Sequence, residues 1–204
     1  MRMVFIAISV AAVAFQLMSD DVKKVYDMSA VRTSKEAAAF ISTYLLTWIN
    51  SDLIVTAVQQ VNAEFARRTI DEVKAVDKEW MSSRDLTPLQ RRFIENPVSD
   101  LLRKKMKDTS GLIAEAFIMD FQGCIVAAAK KTSDYWQGDE DKFIKSYGTG
   151  GSIFIDKVRY DESTGTASMQ VSLPIFDAKA KRVIGAITIG IDMHKRALLK
   201  NYVQ

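Results

Sequence analysis

Apolar residues recur at three- and four-residue intervals through the first half of the chain, and more often at two-residue intervals through the second. From Ser34 onward, Phe40, Ile41, Tyr44, Leu45, Trp48 and Ile49 share one helical face. Asn50-Ser51-Asp52 then offers a cap or kink, and Ile54, Val58, Val61 and Phe65 form a second periodic run. Thr69 with Glu72 makes a capping-box pattern ahead of Val73, Val76 and Trp80. Thr87-Pro88 with Gln90, and Asn96-Pro97 before Leu101, Leu102 and Met106, place a cap and then a proline at the first helical position. Arg103, Lys104, Lys105 and Lys107 fall at that last helix's end, where cations suit the dipole, and read as a solvated face. The stretch from Ser19 to Thr33 is polar and weakly patterned, a leader or a frayed helix.

The second half predicts a sheet. Leu112 to Asp120 reads as a strand, Phe121-Gln122-Gly123 as a hairpin turn and Cys124 to Ala129 as the returning strand. Asp134 to Tyr147 is more helical, and Gly148-Thr149-Gly150-Gly151 is a loop. Ser152 to Tyr160, Thr166 to Ile175 and Val183 to Ile191 complete five strands, with turns at 161–165 and 177–181. His194 to Tyr202 reads as a short closing helix. Short connections favour antiparallel neighbours. The fold class expected is therefore α+β: a PAS-like five-stranded antiparallel sheet preceded by a long N-terminal helical region.

Composition sharpens this division. None of the nine glycines lies before Gly111, and glycine serves turns and weakens helices. The 204 residues are 48% hydrophobic and 26% charged, which excludes intrinsic disorder. A net charge of +3 gives no ground for a nucleic-acid partner. The single cysteine and single histidine leave no disulfide framework within the chain and no cysteine- or histidine-rich metal site. Met1-Arg2-Met3, the apolar run from Val4 to Phe15 and Ala12-Val13-Ala14 supply the three parts of a secretory signal peptide. An uncleaved anchor and a buried helix are the alternatives for this segment. The expected domains are 1–18 (signal peptide or short anchor), 19–110 (helical region) and 111–204 (sheet domain), in a periplasmic or other extracytoplasmic protein.

Segments of the second half carry a family resemblance. Met119-Asp120-Phe121-Gln122-Gly123-Cys124-Ile125-Val126-Ala127 is followed by Thr132-Ser133-Asp134-Tyr135-Trp136-Gln137-Gly138-Asp139-Glu140. Tyr160-Asp161-Glu162-Ser163-Thr164-Gly165, Val171-Ser172-Leu173-Pro174-Ile175 and Val183-Ile184-Gly185-Ala186-Ile187-Thr188-Ile189-Gly190-Ile191-Asp192 come next. In this order the stretch from Phe117 to Met193 resembles the Cache superfamily of extracytoplasmic sensor domains, in its single-module form. The resemblance implies a small-molecule ligand held between the sheet and the insertion after the second strand. It places Tyr135, Trp136 and Gln137 on a lid, Tyr147 at the far side, Asp161 after the third strand and Asp192 at the end of the fifth. Tyr-Trp-Gln-Gly stands where the amino-acid-binding double modules have Arg-x-Trp-Tyr, which argues against amino acids as ligands.

Each of these residues has a plainer role open to it. Tyr135 and Trp136 pack cores as well as ligands. Asp134 suits a helix cap, Glu140 solvent or a local pair with Lys142, and Asp161 the start of a turn. Cys124 reads as a small buried hydrophobe. Gly185 and Gly190 mark close backbone approach. No nucleophile elbow, phosphate loop or metal-binding His-Glu helix is present, so no enzyme activity, cofactor or metal is expected. The expected function is small-molecule sensing relayed through a membrane-bound signalling partner or through a homodimer of the N-terminal helix. A ligand-free structural or interaction module of the same fold is the alternative. The Phe40–Ile49 stripe is open to a competing use, packing against its own sheet.

Overall fold

The computed structural model describes residues 20–29, 31–83, 85–148, 150–161 and 165–203. The proposed signal segment, 1–18, lies outside these residues, as do 162–164 of the turn before the long strands. Helix α1 (Asp20–Val25) leads to Tyr26, which is fully buried. Its hydroxyl donates to the Pro174 carbonyl at 2.6 Å and accepts from the Asn50 amide at 2.8 Å. Helix α2 (Lys35–Thr43) begins at Ser34, whose hydroxyl accepts from the Ala37 N–H. A 3-10 turn (Leu45–Thr47) joins it to α3 (Asp52–Glu64). Helices α4 (Ile70–Ser82), α5 (Pro88–Ile94) and α6 (Pro97–Asp108) follow. Both capping boxes form, Thr69 with Glu72 and Thr87 with Gln90, and Asn96 caps α6. A lost cap of this kind costs about 1 kcal/mol.

One antiparallel sheet follows: β1 (Ile113–Met119), β2 (Ile125–Ala128), β3 (Phe154–Ile155), β4 (Arg159–Asp161), β5 (Thr166–Asp177) and β6 (Arg182–Asp192). Strands lie in the order β2-β1-β6-β5-β3, and β4 also pairs with β5. The third strand expected from the sequence is thus two pieces, giving six strands in place of five. The break has a local cause. The N–H of Lys157 bonds its neighbour's carboxylate, Asp156 Oδ1, at 2.7 Å, and so is turned from the ladder. Counted as one interrupted strand, β3 and β4 restore the expected PAS-like order.

The two faces of the sheet differ. Val171, Leu173 and Ile175 of β5 alternate onto one face with Ile187, Ile189 and Ile191 of β6. Helices α2, α3 and α6 cover this face through Phe40, Ile41, Ile54, Val58, Val98 and Leu102, in one apolar cluster. The stripe expected on one helical face is broken after Thr43, yet Phe40, Ile41, Leu45 and Ile49 are all 0% exposed, so it serves the chain's own core. The opposite face carries Phe117, Met119 and Ala186, covered by Val73 and Trp80 of α4, Phe93 of α5 and Tyr135. The same face carries a polar row on β5: Ser168, Gln170 and Ser172, the last bonded to Thr188 at 2.9 Å.

The helix expected over Asp134–Tyr147 is confined to α7 (Asp141–Phe143) and a π turn (Ile144–Gly148). Residues 133–140 form an irregular strap instead. The N–H groups of Tyr135 and Trp136 both bond Asp77 Oδ1, at 2.7 and 3.0 Å, which denies them to a helix. Trp136 also pairs with Cys124 along the free side of β2. Asp134 therefore caps no helix and accepts from Ser133 Oγ. The closing segment is a 3-10 helix (Met193–Tyr202), with Tyr202 set edge-on to Phe40, ring centroids 4.7 Å apart. No single helix among the described residues is long and apolar enough to cross a membrane.

Candidate functional site

A cleft of about 480 Å³ opens over the polar row of β5. Its floor is Ser168 and Gln170, one wall is Glu140, Asp141 and Lys142 of the insertion, and the other comes from 156–160. Strand alternation puts Ser168 and Gln170 on this face, and the β6 positions opposite them are Asp192 and Gly190. A Cβ at Gly190 would come within 3.1 Å of Ser168 Oγ, so glycine leaves the floor open there.

Lys142 is the most enclosed cation of the cleft, with a side chain 14% exposed. Its ammonium lies 3.2 Å from Glu140 and 5.3 Å from the centre of the Phe117 ring. Burial of the aliphatic stem beneath a head that keeps two electrostatic partners is the usual way such a side chain is stabilised. On the floor, Gln170 Nε2 donates to Glu115 Oε2 at 3.2 Å. The Ser168 hydroxyl is buried with no hydrogen-bond partner among the described residues. An unmet buried hydroxyl costs about 1–3 kcal/mol, which a ligand group would recover. Arg159, opposite Ser168 in the β4–β5 ladder, reaches Asp156 at 3.4 Å. The cleft therefore offers both charge signs and an unused hydroxyl, an arrangement suited to a small polar molecule.

The residues put forward from the sequence are distributed differently from the lid arrangement. Tyr135 is a core residue, 1% exposed, between Trp80 and Phe93 at ring-centre distances of 5.6 and 5.4 Å. Its hydroxyl accepts from Arg68 Nη1 at 2.8 Å. Trp136 lies over the β1–β2 turn and donates from its indole to the Gln122 carbonyl at 2.9 Å. Gln137 is 1% exposed; its amide donates to the Asp134 carbonyl while Oε1 has no partner among the described residues. These three hold the strap to the hairpin and helices because aromatic bulk and two backbone donors are satisfied there. Tyr147 stacks on Phe143 at 5.1 Å, and burial raises its hydroxyl above the ordinary value. Asp161 ends β4 opposite Thr166, and its side chain falls outside the described residues. Asp192 is buried and caps the closing helix, accepting from the His194 N–H at 2.9 Å.

Beneath the strap lies a charged cluster that the sequence did not reveal. Arg68 Nη2 bonds Asp120 Oδ2 at 2.9 Å, with both side chains nearly or fully buried. Arg68 Nε donates to Gln122 Oε1, and Gln122 returns a bond to the Arg68 carbonyl. Asp120 Oδ1 accepts from the N–H groups of Gln122 and Cys124. Burial pushes the Asp120 carboxyl up, against the pull of these donors and the guanidinium. Lys142, Ser168 and Gln170 were also missed, though the polar phase of β5 was legible in Ser168-Met169-Gln170-Val171-Ser172. No group of three or more histidine, cysteine or acidic side chains among the described residues is set to hold a metal ion.

No family model matches the chain. No curated protein matches it either. The chain is similar in fold to solved sensory and ligand-binding domains. One is the sensory domain of the Campylobacter jejuni chemoreceptor Tlp3 with isoleucine bound, 16% identical, TM-score 0.39, over 85% of this chain and 67% of that one. Another is an extracellular ligand-binding receptor from Desulfohalobium retbaense, 16% identical, TM-score 0.38, over 74% of this chain and 26% of that one. A third is the E. coli DcuS sensor domain, 17% identical, TM-score 0.33, over 64% of this chain and 93% of that one. The chain thus spans about two thirds of the first of these domains and about a quarter of the second.

Proposed function

We propose that this chain is an extracytoplasmic sensor domain that binds a small polar molecule in the cleft over β5 and relays occupancy to a signalling partner. The observation that carries this reading is the cleft itself: Lys142 faces a floor whose Ser168 hydroxyl has no partner among the described residues. The site residues proposed are Lys142, Glu140, Ser168, Gln170 and Arg159. Tyr135, Trp136 and Gln137 act one step back, fixing the strap that ends at Glu140 and leads into α7, which carries Lys142. Export rests on the apolar, small-residue pattern at the N-terminus. Signalling needs a ligand that favours one of two conformations, since equal affinity for both shifts nothing.

The competing reading is a ligand-free interaction module. It is favoured by the Lys142–Glu140 pair, which satisfies the cleft's main cation without a ligand. Native mass spectrometry of protein purified from its source separates the two. A retained small molecule, absent from a Lys142→Met variant of unchanged melting temperature, supports the sensor. No retained mass, together with no thermal shift from carboxylates, amines or purines, supports the module.

A further inference from the structure

The basic end of α6 meets a second basic element in the folded chain. The closing 3-10 helix carries His194, Lys195, Arg196 and Lys200, all exposed, and residues 193–204 include no acidic side chain. Its apolar side is seated on the core: Leu199 is buried and Tyr202 lies against Phe40. Two contacts join this helix to its neighbours. Lys195 Nζ donates to the Ser110 carbonyl, just past α6, at 3.1 Å. Tyr202 packs on Tyr44 with ring centres 5.4 Å apart, and the ammonium of Lys105 on α6 stands 5.4 Å from the centre of the same Tyr44 ring. The end of α6, the closing helix and α2 therefore adjoin on one side of the molecule.

The charge on this side has one sign. Lys35, Lys104, Lys105, Lys195, Arg196 and Lys200 stand against two acids, Asp108, which pairs with Lys104, and Glu36, which lies near Lys35 and Lys200. The excess of cations exceeds the +3 of the entire chain, so the remainder of the sequence carries no positive excess. From Lys195 to Lys200 the helix rise spreads the cations over about 10 Å, and they continue onto two neighbouring helices. Charges spread in this way suit an extended anionic plane, whereas a single phosphate or carboxylate calls for cations that converge on a point. The surface also borders the side from which the chain enters: Lys35, Ala38 and Ala39 of α2 share a concavity with Lys23 and Tyr26. The apolar run from Val4 to Phe15 ends shortly before α1, which carries Lys23. An apolar segment and a basic surface are the two signals that together hold a protein to a bilayer.

We propose that this surface docks on an anionic phospholipid bilayer, with the closing helix against the headgroups. The proposal is independent of what the cleft over β5 binds. The test is flotation of the full chain with vesicles of phosphatidylcholine alone and of phosphatidylcholine mixed with phosphatidylglycerol. Partitioning should be stronger on the anionic vesicles, and the difference should shrink as salt rises. The neutral vesicles report the contribution of the apolar run. Arg196→Gln and Lys200→Gln should each weaken binding to the anionic vesicles by about fivefold, the worth of one cation near such a surface, at an unchanged melting temperature. Lys78→Gln and Lys179→Gln remove the same charge from exposed positions on other elements and should have no such effect. Lys142→Met should likewise leave partitioning intact. Equal partitioning onto both kinds of vesicle, or equal losses from the closing-helix variants and the two controls, would overturn the proposal. So would tighter binding of polyglutamate than of the vesicles, since the surface would then meet an acidic protein.

Discussion

Arg68 donates to the hydroxyl of Tyr135 at 2.8 Å, and that bond joins the link between α3 and α4 to the strap beside the cleft. The same guanidinium neutralises Asp120 at the hairpin, so one side chain fastens helices, hairpin and insertion together. Replacing it by methionine would keep much of the bulk and strand a buried carboxylate. Arg68→Met should therefore lose about 3–5 kcal/mol of stability in urea unfolding. Arg68→Met combined with Asp120→Asn should recover part of that loss. A single variant within about 1 kcal/mol of the parent would show that the pair contributes little.

Ser168 gives a prediction of opposite sign. Its hydroxyl is buried and unmatched, so Ser168→Ala removes a cost rather than a bond. Stability should stay level or rise by up to about 1 kcal/mol. Ligand retention in the cleft should fall at the same time. A variant that melts lower would mean that the hydroxyl has a partner in solution.

Acid should act through Asp177. Its carboxylate accepts from the N–H groups of Ala180 and Lys179, and Gln59 of α3 donates to it at 2.5 Å. The Ala180 N–H is the main influence holding it below the usual carboxylate range. A group lowered on folding stabilises the fold above its unfolded value and loses that effect as pH falls through the folded value. The stability of the parent should therefore decline below about pH 4. Asp177→Asn should flatten part of the decline below about pH 4, measured by chemical unfolding at each pH. Identical slopes would refute the assignment.

Gly185 tests the seating of α3. A Cβ there would lie 2.3 Å from the Met119 carbonyl oxygen and 3.1 Å from Val58. Gly185→Ala should cost about 1–3 kcal/mol by overpacking, read as a lower melting temperature. A neutral substitution would mean that β1 and β6 can separate locally.

The helices were legible because their signals are local. Thr69 with Glu72 and Thr87-Pro88 with Gln90 need no distant partner, and both boxes form where the spacing placed them. The sheet was legible through alternation and glycine-bearing turns such as Gly123, whose φ of 84° suits glycine. The strap was not, because its shape depends on Asp77, more than fifty residues earlier. Helical propensity over 134–147 yields there to hydrogen bonds that only the folded chain can supply. The candidate site shows the same division. The polar phase of β5 was written in the sequence, whereas the partnership of Lys142 with Phe117 required the insertion to fold back over β1.

The interruption between β3 and β4 reaches beyond the cleft. The margin of the sheet on that side consists of a two-residue and a three-residue piece, with exposed Lys157 between them and Arg159 72% exposed. Another chain seeking to extend the sheet would find no uninterrupted run of free backbone groups and would bring its strand against cations. The kink that sets Asp156 and Arg159 beside the cleft thereby also hinders strand addition at this margin of the sheet.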